Sequence, residues 1–142
     1  MTGRASRTRG ANAERAVAAY MRDNGWPNAR RCLAGDGHQH TDIDGIPGVS
    51  IEVKDRASSS WPAWRLQAIT QAHPGDTVIV IRRTRGVTDV GQWEAQIRWI
   101  DVEHHLDNSS LNGTFVMCPR TGTTWTRTTV ADIVHHLNQD TP

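Results

Sequence analysis

The stretch Thr-Asp-Ile-Asp-Gly-Ile-Pro-Gly-Val-Ser-Ile-Glu-Val-Lys, residues 41–54, decides how this chain is expected to fold. Residues 41–46 and 49–54 are rich in β-branched side chains. The dipeptide Pro47-Gly48 between them is typical of a turn. The pattern therefore predicts a hairpin of two short strands.

Three polar side chains of this stretch are expected to converge. Glu52 and Lys54 are two residues apart on the second strand, so their side chains leave the same face. Asp42 on the preceding strand can reach that face, and Asp44 competes with it because the two aspartates share a face. Two carboxylates at a strand edge form a hard oxygen site suited to Mg²⁺. Lys54 is the single lysine beside fifteen arginines. A compact ammonium can orient water, and the neutral amine left when it sheds a proton can deprotonate water, whereas a planar guanidinium stays charged.

The pattern outside this stretch predicts one domain of the α/β class, with helices packed on a central mixed β-sheet. Helices are expected at residues 11–24, 61–72 and 129–138. Further strands are expected at residues 30–33, 77–82, 95–100 and 114–117. Residues 1–10 are small, polar and basic, and are predicted to form a flexible arm. Residues 11–142 would form the single domain, with a core at about 11–100 and a C-terminal extension at about 101–142.

Composition is that of a soluble domain with a modest core. The chain has 142 residues, 37% of them hydrophobic, and six tryptophans. It has no apolar run of 18 residues or more and no secretory signal, so we expect a cytosolic protein without a membrane partner. The two cysteines, Cys32 and Cys118, suit free thiols in a reducing compartment, and a disulfide between them is the alternative that the sequence leaves open.

Charge is spread unevenly along the chain, although its net value is only +1. Residues 1–31 hold seven arginines against two acids, whereas the remainder carries an excess of acids. A basic segment on a near-neutral body suits a phosphate backbone. The candidate DNA contacts are Arg4, Arg7 and Arg9 in the arm and Arg82 and Arg83 after the strand at 77–82.

The pattern Thr41-Asp42-Ile43 followed by Ile51-Glu52-Val53-Lys54, with Glu14 in a preceding helix, resembles the signature of the PD-(D/E)XK nucleases. Over roughly residues 8–85, the order is similar to that of archaeal-type and phage-encoded Holliday junction resolvases. The resemblance implies a restriction-endonuclease-like fold and a Mg²⁺-dependent endodeoxyribonuclease, with Mn²⁺ as a substitute. It further implies a homodimer that makes paired nicks in four-way DNA junctions. If phage-encoded, it would act in the bacterial cytoplasm.

Residue roles follow from the resemblance at the matching positions. It implies that Asp42, Glu52 and the backbone carbonyl of Val53 bind the metal. Lys54 would position the nucleophilic water, and Glu14 would hold a metal-bound water from the first helix. An acid near a helix start also stabilises the helix dipole, which is the alternative role for Glu14.

The resemblance extends to a glutamine and to nearby arginines. Gln67 or Gln71 on the second helix matches a glutamine placed beside the metal, and Arg30 or Arg31 would touch phosphate near the site. The chain departs from the signature at Thr41, where the family has a proline.

Alternative interpretations remain at this stage. The same site could belong to a nuclease that acts on linear ends, flaps or nicks, and a non-catalytic DNA-binding protein is a less favoured hypothesis. His38 and His40 could bind a softer metal or be plain loop residues. Trp61 and Trp64 could stack on unpaired bases or lie in the core.

Overall fold

A computed structural model of the chain describes residues 3–33, 40–103 and 113–139. The helices are α1 (Gly3–Asp23), α2 (Trp61–Gln71), α3 (Trp99–Glu103) and α4 (Val130–Gln139). The strands are β1 (Arg30–Arg31), β2 (Ile43–Asp44), β3 (Val49–Lys54), β4 (Thr77–Arg82), β5 (Glu94–Arg98), β6 (Thr114–Cys118) and β7 (Thr123–Thr129). The predicted class, a mixed sheet flanked by helices, is confirmed, and the architecture is compatible with a restriction-endonuclease-like fold.

The main sheet has five strands in the order β3-β4-β5-β7-β6. β3 and β4 are parallel and joined through α2, with Val49 opposite Thr77 and Lys54 opposite Arg82. The other neighbouring pairs are antiparallel. β3 is thus an edge strand of this sheet, and its C-terminal end carries Glu52 and Lys54.

Both faces of the sheet are covered by apolar side chains. On one face, Val17 and Met21 of α1 and Ile133 of α4 pack with the inward residues of β3, β4 and β5. On the other face, Trp64 of α2 packs against the fully buried Trp125 of β7. The buried run of β4 matches its nearly continuous β-branched sequence, which is typical of a strand covered on both sides.

The predicted hairpin of residues 41–54 is wrong in its pairing. β2 pairs with β1 in a separate two-stranded antiparallel sheet, in which Arg31 lies opposite Ile43. The chain before β2 nevertheless lies beside β3, because Thr41 Oγ1 accepts the Ile51 N–H at 2.9 Å and the Asp42 N–H donates to the Ile51 carbonyl at 2.8 Å. Gly45 makes the change of direction possible, since its φ of +86° favours glycine.

The N-terminal segment also differs from expectation. Helix α1 begins at Gly3 instead of residue 11, so residues 3–10 of the predicted flexible arm continue the helix. Only the later part of α1 packs against the core, through the buried side chains of Ala13, Val17 and Met21. The polar first turns extend this anchored helix, and propagation costs far less than nucleation.

Other boundaries shift by a few residues. β5 ends at Arg98, and residues 99–100 of the predicted strand begin the short helix α3. The last helix begins at Val130 instead of residue 129, and Thr129 Oγ1 accepts the Asp132 N–H at 3.4 Å, which caps the first turn of the helix. Cys32 and Cys118 form no disulfide with each other. Across the described residues, every helix is too short or too polar to cross a bilayer.

Candidate active site

Two carboxylates converge at the free edge of β3. The Glu52 side chain projects from β3 and is only 5% exposed as a residue. The Asp42 carboxylate comes from the segment beside β3, and its Oδ2 accepts the Val53 N–H at 2.8 Å. The competing Asp44 instead pairs with Arg30 at 3.2 Å. Of the two aspartates, the structure therefore brings Asp42 to Glu52.

The closeness of these acids has an electrostatic cost. Burial raises the pKa of Asp42 from its ordinary value of 3.8 to about 7, and the charges of Glu52 and Glu14 contribute to the rise. The Val53 N–H and the Lys54 ammonium lower this pKa, but less than burial and repulsion raise it. A carboxyl that retains its proton near neutrality is expected where acids are crowded together.

Lys54 lies between an acid and an amide. Its Nζ is 2.7 Å from Glu52 Oε1, and it donates a hydrogen bond of 2.9 Å to Gln67 Oε1. The predicted common face of Glu52 and Lys54 is thus confirmed. Gln67 and not Gln71, one turn further along α2, supplies the amide that contacts the lysine. An ammonium has three N–H donors, so these two contacts leave one for a water or substrate oxygen.

Glu14 approaches the cluster from α1 and forms a short ion pair with the Nε of Arg31. Because α1 begins at Gly3, Glu14 is not in the first turn of its helix. Its alternative role as an acid that stabilises the helix N-terminus is therefore wrong. Arg31, expected to touch phosphate, here holds Glu14 in place, whereas Arg30 is bound to Asp44.

A concavity of about 320 Å³ opens over this cluster. Its lining includes Ser6, Arg7 and Gly10 of α1 together with Glu52 and Lys54 of β3. The unexpected extension of α1 therefore borders the site and brings Arg7 to it.

A basic surface continues from this concavity along the C-terminal end of β4. Arg9, Arg83 and Arg85 line an adjacent concavity that shares Asp55 with the first. Arg83 and Arg85 also line a groove of about 590 Å³ that reaches Arg127 of β7. We call this continuous surface the arginine groove, and its residues are Arg9, Arg82, Arg83, Arg85 and Arg127.

Arg127 was missed from the sequence. It lies three strands away from the site in the sheet order, and strand order cannot be predicted from local pattern. Its position between threonines, which favour strands, was the one available signal in the sequence. It also pairs with Glu94. Arg82, a predicted DNA contact, donates to the carbonyls of Arg56 and Ala57 at 3.4 and 3.3 Å and so holds the loop after β3.

The remaining predicted site residues are the two tryptophans of α2, Arg4 and His38. Trp61 and Trp64 contact each other edge to face at 5.2 Å, and Trp64 is only 6% exposed within the core. Trp64 is thus a core residue and not a stacking platform. Arg4 lies in the first turns of α1, where its carbonyl accepts a hydrogen bond from Thr8. His38 lies outside the described residues.

The donor set of the site consists of hard oxygens from Asp42, Glu52 and the backbone of β3. In a strand, the N–H and C=O of one residue point to the same side. The Val53 carbonyl therefore faces the same edge as its N–H, which is bound to Asp42. Such a set fits Mg²⁺. The chain matches no protein-family model, no curated protein and no solved structure, so its function is inferred from this geometry.

Proposed function

We propose that this chain is a Mg²⁺-dependent endodeoxyribonuclease that cuts branched DNA at four-way junctions. The observation that carries the proposal is the closeness of two carboxylates, the half-buried Asp42 and the buried Glu52, with the single lysine of the chain in contact with Glu52. Crowded acids whose charge is only partly offset destabilise a fold, and strongly shifted pKa values are concentrated at functional sites. A cation bound there would offset the charge of these acids, and a phosphate could then approach the site.

The residues that would hold the metal are Asp42, Glu52 and the carbonyl of Val53. When bound there, Mg²⁺ would supply positive charge to the attacked phosphate and lower the pKa of a water molecule. Mn²⁺ accepts the same oxygen ligands and should substitute. Glu14 is close enough to influence the charge of Asp42 and would hold a water at the edge of this group.

Lys54 would orient the attacking water with its remaining N–H donor. Glu52 and Gln67 fix the ammonium from two sides, so the direction of the third donor is set before substrate arrives. The water oxygen forms a bond to phosphorus, and the bond from phosphorus to the leaving oxygen breaks. A proton passes from the water to solvent or to a nearby base, and another reaches the leaving oxygen.

The arginine groove would carry the phosphate backbone toward the site. Arg7 at the concavity and Arg83, Arg85 and Arg127 along the groove offer guanidinium groups, which suit bidentate contacts to phosphate. The choice of a four-way junction and of a homodimer rests on the family resemblance of residues 41–54. The same resemblance suggests action in the cytoplasm of a bacterial host, if a phage encodes the chain.

The proposal is tested with a synthetic four-way junction and a linear duplex of the same sequence. In Mg²⁺ the wild type should cut the junction with symmetric paired nicks, and EDTA should abolish cutting. Lys54→Ala should still bind the junction but cut it at least about 100-fold more slowly.

A matched pair on α2 serves as the control for the site. Gln67→Ala should slow cutting because it frees the ammonium, whereas Gln71→Ala should not. Equal cutting of junction and linear duplex would favour a nuclease for ends, flaps or nicks. If the chain binds the junction but does not cut it with any metal ion, the chain is a non-catalytic DNA-binding protein. If Lys54→Ala cuts at the wild-type rate, the assigned site is wrong.

A further inference from the structure

We propose that His40, His73 and Asp76 bind a divalent transition-metal ion of the Zn²⁺ class, at a second site separate from the carboxylates. One ligand atom from each of these three side chains lies within 4.8 Å of the other two. The two imidazole rings are stacked, with centroids 4.0 Å apart and an interplanar angle of 18°. Three potential ligands from two separate chain segments thus already lie together.

The turn between α2 and β4 holds two of the three ligands. The Asp76 N–H donates to the His73 carbonyl at 3.1 Å, and the His73 N–H donates to Asp76 Oδ2 at 3.1 Å. Pro74 and Gly75 occupy the central positions, and Gly75 has a φ of +88°, as a type II turn requires. The carboxylate is therefore fixed beside His73, and it keeps further acceptor capacity because each oxygen has two lone pairs.

The third ligand is anchored from the other side of the site. The carbonyl of His40 accepts a short hydrogen bond from Ser50 Oγ of β3, which fixes the backbone of this residue. His73 is exposed, so rotation of its side chain can direct a ring nitrogen to the same point as His40. A concavity of about 340 Å³, lined by all three residues, leaves room for the ion and its waters.

The chemistry of these ligands differs from that of the carboxylate pair. Two imidazole nitrogens and one carboxylate oxygen suit Zn²⁺, Co²⁺ or Ni²⁺, whereas Mg²⁺ prefers oxygen ligands only. Three protein ligands would leave a fourth tetrahedral position for water. The two sites should therefore select different ions.

The position of the site suggests what the ion would do. Asp76 precedes β4, and Glu52 lies opposite Val80, four residues further along the parallel pair, which is roughly 13 Å along the strands. His40, however, is only two residues before Asp42. An ion bound here would join the turn before β4 to the segment that carries Asp42, and would stabilise the position of that carboxylate.

The test is direct measurement of Zn²⁺ binding by the full chain without an affinity tag, in the absence of DNA and Mg²⁺. We expect one tightly bound Zn²⁺ per chain by equilibrium dialysis, and a Tm that rises by several degrees, roughly 8 °C at an ion concentration of 100 times Kd. His73→Ala and Asp76→Asn should each weaken binding at least about 100-fold, since even loss of an outer partner costs 10- to 100-fold. Far-UV circular dichroism should show that both variants retain the fold.

Two control variants identify the ion's location. His135→Ala removes an exposed imidazole from α4 and should leave Zn²⁺ binding unchanged. Glu52→Gln alters the carboxylate site and should also leave it unchanged. No uptake by the wild type, retained binding in His73→Ala and Asp76→Asn, or loss of binding only in Glu52→Gln would each overturn the inference. Because no cleavage is measured, these outcomes are independent of the proposed nuclease activity.

Discussion

Replacing Asp42 by asparagine should stabilise the metal-free protein at alkaline pH. In the folded chain the pKa of Asp42 is raised to about 7, first by burial and then by Glu52, whereas its ordinary value is 3.8. The folded state therefore binds more protons than the unfolded state between these two pH values. By linkage, stability is lost as pH rises through this window, and the loss is complete above pH 7. The side-chain amide that replaces the carboxylate has no charge to lose, and its oxygen can still accept the Val53 N–H.

The magnitude follows from the two pKa values. Each pH unit between them corresponds to about 1.4 kcal/mol, so ionised Asp42 costs up to about 4 kcal/mol at pH 8. Asp42 is partly exposed, and solvent screens its charge, so we expect Asp42→Asn to gain about 2 to 4 kcal/mol at pH 8. The gain should shrink by about 1.4 kcal/mol per pH unit below pH 7 and nearly vanish at pH 4.

Urea unfolding in EDTA at several pH values measures this difference, with an unchanged m-value as the sign that the two-state comparison is valid. Asp44→Asn is the matched control, two residues away and paired with Arg30 at the surface, and its effect should be within about 1 kcal/mol and opposite in sign. An Asp42→Asn effect that is the same at pH 4 and pH 8, or a variant less stable than wild type at pH 8, would refute the reasoning. Mg²⁺ should stabilise the wild type but not the variant.

Two further predictions concern the groove and the backbone. Arg127→Ala should weaken junction binding by about 1 kcal/mol and make the negative slope of log K against log salt shallower by about 1. Arg120→Ala, in the turn before β7, should change neither the affinity nor the slope. Equal effects of both variants in a salt titration would argue against a DNA path through the groove. Gly45→Ala should destabilise the fold by about 3 kcal/mol or more, because its φ is +86° and the new Cβ would lie 2.1 Å from the Asn28 carbonyl oxygen. Gly48→Ala, with positive φ but open space around it, should cost only about 1 to 2 kcal/mol in the same urea assay, and equal costs would show that the close contact relaxes.

The local sequence pattern correctly predicted those helices and strands whose apolar residues match the burial of the element in the fold. The bounds of β4 were correct because its β-branched run is buried on both faces and ends at turn residues. Helix α2 was correct to within one residue, with Pro62 in its first turn as expected. Strand pairing was predicted less well, because the sequence of a strand indicates its extended conformation but not which strand it will pair with. β2 therefore joined β1 in place of β3.

In the candidate site, too, local features were predicted correctly, whereas features that depend on tertiary packing were not. The shared face of Glu52 and Lys54 follows from the two-residue period of a strand, and the structure bears it out. The choices of Asp42 over Asp44 and of Gln67 over Gln71 depend on how neighbouring elements are placed, which no local spacing can decide. The extension of α1 was missed because a polar, basic segment is typical of disorder until the packing that anchors the rest of its helix is known.

The charges around Asp42 suggest why a metal ion and a proton would compete for the Asp42 carboxylate. Glu14 and Glu52 carry two negative charges, and Arg31 and Lys54 pair with them one to one. With a proton on Asp42 the group is electrically balanced, and without it the half-buried Asp42 carboxylate adds one negative charge that these two cations do not offset. A cation bound at Asp42 restores that balance and adds positive charge, which a phosphate can then use. The raised pKa of Asp42 is therefore what a cation-binding position between buried carboxylates should produce, and the proton takes the place that the cation would fill.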